Sequence, residues 1–125
     1  MYTPRVEHVL GMANTRTDDF NCWGATLFIA NGTSSLSWVD DRTMGEWLMQ
    51  NCKPIPRSSL REGDIVALFR DKRKLVHTAY YVGDNKFVHK LGRNVARLEP
   101  LSRVLKEYSD SANGYIFFRK EEVCV

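Results

Sequence analysis

The chain has 125 residues, 43% of them hydrophobic and 11% aromatic, which is enough for one domain with its own core. With 18 basic against 15 acidic residues the net charge is +3, too nearly balanced to imply nucleic-acid binding. No stretch approaches the ~20 consecutive apolar residues of a membrane span, and MYTPRVEHVLGMAN places Glu7 and His8 where an export signal would be apolar. The chain therefore reads as a soluble protein without a self-encoded signal peptide, cytoplasmic unless something delivers it elsewhere.

In chain order, Thr3 as N-cap, Pro4 at the first helical position, apolar Val6, Val9, Leu10 and Ala13, and Asn14 as a stop predict a short amphipathic helix. FNCWGATLFIANG is apolar nearly all round and predicts a buried central helix, started by Asp18, Asp19 or Asn21 and ended by Asn31-Gly32. Thr43 and Glu46 stand at capping-box spacing before Trp47, Leu48 and Met49, predicting a short helix that stops before Pro54. From Ile55 the period changes. A PIPRSSLREGD connector leads into the strand IVALFR, and the turn DKRK separates that from VHTAYYVG. DNKFVHK and NVARLE follow as strands, Leu101–Tyr108 has helical spacing, and GYIFFR is an aromatic strand before the charged tail KEEVCV. The layout is α+β, with helices first and an antiparallel sheet second, in a single domain spanning residues 1–125.

Three cysteines without a C-x-x-C pair argue against a disulfide framework or a structural zinc site and leave at least one thiol free. A thiol attacks as thiolate, which a helix N-terminus favours. Cys22 lies in the first turn of its predicted helix, Cys52 follows a helix at its C-terminal end, and Cys124 sits in the tail after Glu121-Glu122. Taken alone, Cys22 would be a small core residue. What gives it chemistry is His77 and His89 in adjacent strands of one predicted hairpin, whereas His8 has no such partner. A three-residue loop Gly83-Asp84-Asn85 sets Ala79 opposite His89 and makes the imidazoles diagonal neighbours, about 7–8 Å apart at Cβ. A two-residue loop puts them on opposite faces, and the sequence permits both. In the first register one imidazole takes the thiol proton and the other orients it.

FNCWGATLF, REGDIVALF and HTAYYVGDNKFVHK, in this order and spacing, resemble the NlpC-type cell-wall cysteine peptidases over roughly Thr17 to Gly92. The resemblance implies a papain-like fold in which Cys22 is the nucleophile, His77 its base and His89 the orienting group, Gly63-Asp64 enters a strand, and amide bonds of peptidoglycan stem peptides are cleaved. The family more often has Asp-Cys-Ser-Gly where this chain has Asn21-Cys22-Trp23-Gly24, so Trp23 is expected to alter the wall of the cleft. A tyrosine that often precedes the nucleophile has no clear counterpart, Tyr2 being the only one upstream. The oxyanion donors are then the backbone N–H of Cys22, with Tyr80 or Tyr81 as side-chain candidates. The hairpin is also similar to that of the lecithin retinol acyltransferase relatives, but those carry the cysteine after the histidines, where only Cys124 stands.

The expectation is a cysteine peptidase or amidase working without metal or organic cofactor on a peptidoglycan peptide, delivered to the wall or periplasm by a phage particle or a secretion machine. An inhibitor or immunity protein over the cleft is left open as a further partner. Readings from other classes are a non-catalytic binding module on the same fold, or a cysteine acyltransferase or deamidase acting on a protein or lipid.

Overall fold

A computed structural model of the chain describes residues 3–11, 20–33, 35–91 and 96–121. Four helices, α1 (Pro4–Gly11), α2 (Cys22–Asn31), α3 (Asp41–Asn51) and α4 (Leu101–Glu107), surround six strands: β1 (Cys52–Ile55), β2 (Ile65–Arg70), β3 (Lys74–Gly83), β4 (Lys86–Lys90), β5 (Ala96–Glu99) and β6 (Gly114–Lys120). The strands form one antiparallel sheet in the order β1-β6-β2-β3-β4-β5. The α+β layout read from the sequence is the one observed, with α4 covering the face that the N-terminal helices leave open.

Strand alternation divides the core between the two faces. Ile65, Ala67, Leu75 and Phe118 pack with Leu27, Met44 and Leu48 of α2 and α3, while Val82, Val88 and Ala96 pack with Val6, Val9 and Ala25 of α1 and α2. On the other face Val66, Leu68, Ala79, Phe87 and Phe117 meet Leu101 and Val104 of α4. Among the described residues no helix is long and apolar enough to cross a membrane.

The helix starts follow their caps. Thr3 Oγ1 accepts from Val6 N at 3.4 Å at the head of α1; Ala13 and Asn14 lie outside the described residues, as do Asp18 and Asp19. Asn21 caps α2, and Gly32 ends it in the left-handed region at φ 66°. α3 begins earlier than the Thr43–Glu46 spacing suggests, because Asp40 is its N-cap and accepts from Thr43 N at 2.7 Å. Strand β1 was not legible: it contains Pro54, which the sheet tolerates because β1 is an edge strand paired only with β6. The Gly63-Asp64 pair is structural. Asp64 is 1% exposed and accepts from Arg119 Nε and Nη2 and from Arg61 N, each at 2.8 Å, which ties the start of β2 to β6.

The hairpin resolves the two open loops in an unforeseen way. Its tip is the two-residue turn Asp84-Asn85, both residues at positive φ (52° and 59°), as a type I′ turn requires. Gly83 pairs with Lys86, yet Tyr81 pairs with Phe87 and Tyr80 with Val88, so one extra residue, Val82, is bulged out of the ladder. The short loop alone would set the histidines on opposite faces; the bulge restores the register that brings His89 level with Ala79. A second irregularity precedes His77, where Leu68 pairs with His77 but Phe69 with Leu75. The two bulges bracket the His77–Tyr81 segment.

Candidate active site

Cys22 is the first residue of α2, placed there by a dense set of polar contacts. Asn21 Oδ1 accepts from Gly24 N at 2.9 Å and Val39 N at 3.2 Å, while its Nδ2 donates to Val39 O at 2.6 Å. The same segment approaches so closely that a Cβ on Gly24 would collide with the Ser37 carbonyl oxygen. One turn on, Thr26 Oγ1 lies 3.0 Å from Cys22 O and 2.8 Å from Thr78 Oγ1, fixing the helix start to the β3 residue next to His77. The backbone amides of Thr78, Trp23 and Cys22 itself act to lower the pKa of the thiol.

His77 and His89 are fully buried on the α4 face. His77 Nε2 and His89 Nδ1 are 2.8 Å apart, while His77 Nδ1 is buried with no hydrogen-bond partner. Tyr108, at the C-cap of α4, stacks on the His77 ring with centroids 3.9 Å apart and planes 19° from parallel. Burial holds the Tyr108 phenol up, and the neighbouring Cys22 and Glu107 add to that. His89 Nε2 lies 3.4 Å from Glu99 Oε1 on β5. This is an ion-pair distance without hydrogen-bond alignment, and neither atom has a hydrogen-bond partner.

Electrostatically the resting site is neutral at its centre. Burial, then the neighbouring His89, lowers His77 well below the usual histidine range. Burial also lowers His89 to about 4, opposed by Glu107 and assisted by Arg97. Cys22 is raised to about 11, because desolvation outweighs the amides of Thr78, Trp23 and Cys22 and the positive Lys90. The sequence argument expected the helix N-terminus to win; at 7% exposure it does not. The resting pair is thiol and neutral imidazole. Cys52, also free and buried, is likewise raised to about 11 by burial and lies away from the histidines, after α3. Cys124 falls outside the described residues.

The two tyrosines named as oxyanion candidates are engaged elsewhere. Tyr80 turns to the face packed by α2 and α3, with its hydroxyl beside Gly63, and burial followed by Glu62 and Asp64 raises its phenol. Tyr81 OH accepts from Asn85 N at 3.1 Å and so supports the hairpin turn. That leaves the backbone N–H groups at the start of α2 as the remaining oxyanion candidates. With Asp41, Arg70, Lys74, Val76 and Ser111, Trp23 lines a cavity of about 430 Å³ whose lining includes neither Cys22 nor the histidines, and its buried indole N–H has no hydrogen-bond partner. His8 stays on exposed α1 against Phe28. Lys72 and Arg73 belong to a solvated turn, while Lys74 borders the cavity. Sequence reasoning missed Tyr108 and Glu99; the one available signal was the helical spacing up to Tyr108, and nothing in it gave contact with His77.

No curated protein matches the chain. Solved structures that share its fold include an NlpC/P60 family protein from Bacillus cereus ATCC 10987 (21% identity, TM-score 0.54), and NlpC1 (14%, 0.53) and NlpC2 (16%, 0.51) from Trichomonas vaginalis. The similarity covers 81%, 92% and 93% of this chain but only 31%, 43% and 46% of those chains, so this chain spans less than half of each. The NlpC/P60 family model matches residues 6–114, a segment that contains Cys22, both buried histidines and α4, and the chain therefore belongs to the NlpC/P60 family.

Proposed function

We propose that the chain is a cysteine hydrolase that cleaves an amide bond in peptidoglycan stem peptides through an acyl-enzyme on Cys22. The observation that carries this reading is the buried imidazole pair: His77 shares a hydrogen bond with His89 and keeps Nδ1 unpartnered, one residue from Thr78, whose hydroxyl meets that of Thr26 in the turn that Cys22 begins. Family membership supplies the reaction class.

With thiol and imidazole both neutral at rest, proton transfer accompanies attack. Cys22 Sγ adds to the amide carbon while its proton passes to His77 Nδ1, and the carbonyl oxygen becomes an oxyanion facing the Cys22 and Trp23 amides. Collapse breaks the C–N bond, and the leaving amine takes the proton from His77. Water then gives a proton to His77 and adds to the thioester; collapse releases the carboxylic acid and returns the proton to sulfur. The positive α2 N-terminus and the buried Lys90 favour the oxyanion and the transient thiolate character. The cavity beside Trp23 carries Arg70, Lys74 and Asp41, a mixed-charge wall suited to a peptide bearing carboxylates and an amine.

The test is mass spectrometry of purified stem peptides and muropeptides after incubation with the protein. Cleavage that falls by about 10³-fold or more in Cys22→Ala and His77→Ala supports the reading; undiminished cleavage in either variant contradicts it. The burial of Cys22 favours a second reading, a binding module on the same fold. Saturable peptide binding with no product would select that one.

A further inference from the structure

Two neutral imidazoles sharing one hydrogen bond have two settings. In the first, His77 Nε2–H donates to His89 Nδ1, which leaves His77 Nδ1 bare and puts the His89 proton on Nε2. In the second, His89 Nδ1–H donates to His77 Nε2, which puts a proton on His77 Nδ1 and leaves His89 Nε2 bare. Only the first gives His77 a lone pair with which to accept the thiol proton. The 2.8 Å contact alone does not choose between them.

What faces His89 Nε2 does choose. Glu99 Oε1 is 3.4 Å away, and neither atom has a hydrogen-bond partner in the structure. A carboxylate only accepts, so it favours an N–H at that position and opposes a lone pair. Glu99 reaches the site from β5, where it pairs with Phe87, on the face that Phe87 shares with His89. It is 8% exposed. Its other flank is held by cations: Arg103 Nε of α4 is 3.6 Å from Oε2, and Arg97 Nη1 is 3.9 Å from Oε1 and 3.9 Å from Glu107 Oε1. The groups around His89 are thus His77 from β3, Arg97 and Glu99 from β5, and Arg103, Glu107 and Tyr108 from the α4 segment.

We infer that Glu99 is a positioning residue whose carboxylate fixes the tautomers of both imidazoles, with His89 protonated on Nε2 and His77 left bare on Nδ1. The structural part stands on its own geometry; the consequence for rate rests on the proposed cysteine hydrolase.

Long-range ¹H–¹⁵N NMR of the histidine rings in the full chain at neutral pH reads the tautomers directly and needs no substrate. Wild type is expected to show both rings protonated at Nε2 only. Glu99→Gln keeps the shape but offers an NH₂ as readily as a C=O, so the two settings mix. Its kcat on stem peptides then falls about 2-fold or more, in proportion to the share of His77 left bare on Nδ1, with KM unchanged, and Glu99→Asp restores the single setting. A wild-type His77 protonated on Nδ1 overturns the inference, and that spectrum decides the matter even where Glu99→Gln fails to fold. A folded Glu99→Gln variant as cleanly single as wild type overturns it too. Correct tautomers with no peptide cleavage would instead count against the hydrolase and leave the role of Glu99 intact.

Discussion

The start of α2 and the histidine hairpin meet at the Thr26–Thr78 contact, and they treat polar groups differently. Around Asn21 the cap, the tether to Val39 and the Thr26–Thr78 contact give each of those side chains a partner, and the Trp23 indole N–H is the one buried polar atom of that turn without one among the described residues. Around His77 three buried polar atoms, His77 Nδ1, His89 Nε2 and Glu99 Oε1, have no hydrogen-bond partner. The first region specifies where the thiol sits. The second carries unused hydrogen-bonding capacity at a cost in stability, as sites reserved for chemistry do.

The largest expected difference between them is in acid. His77 and His89 are both depressed in the folded state, so below about pH 6.5 the unfolded chain binds more protons and folding loses ground as pH falls towards the folded values. For His89, from 6.5 to about 4, the loss is on the order of 3 kcal/mol. Urea unfolding at a series of pH values from 7 to 4 should show this slope, and His89→Gln should flatten it. An equal slope in the variant would show that His89 does not carry the acid sensitivity.

In the α2 region the sensitivity is steric. Gly24→Ala must push the Ser37 carbonyl away, with an expected cost of about 1–3 kcal/mol and a displaced helix start. A midpoint unchanged in denaturant would show that the Ser37 segment yields freely. Asn21→Ala, the smallest effect, should cost about 1–2 kcal/mol as a lost cap, with the pH slope unaltered. A changed slope there would mean that the two regions are coupled through Cys22.

The α2 region was legible because its information is local: a cap residue, an apolar helix and a terminal Asn-Gly are adjacent in sequence. Cys22, His77 and His89 could be named as candidates because motif order survives without coordinates. The hairpin geometry was only half legible. The turn residues permit both loop lengths, but a bulge at Val82 is not written in any of them. Glu99 and Tyr108 were out of reach because their contacts depend on β5 pairing beside β4 and on α4 packing over the opposite face of the sheet. The thiol was misjudged for a physical reason: helix-terminus electrostatics can be read from sequence, whereas 7% exposure cannot, and burial sets the larger effect.

The most direct measurement is intact-protein mass spectrometry of acid-quenched mixtures of the protein and a stem-peptide substrate. The account predicts an acyl adduct that maps to Cys22, forms in wild type and is lost in His77→Ala. Cleavage that proceeds with no adduct on Cys22, and continues in Cys22→Ala, would contradict it.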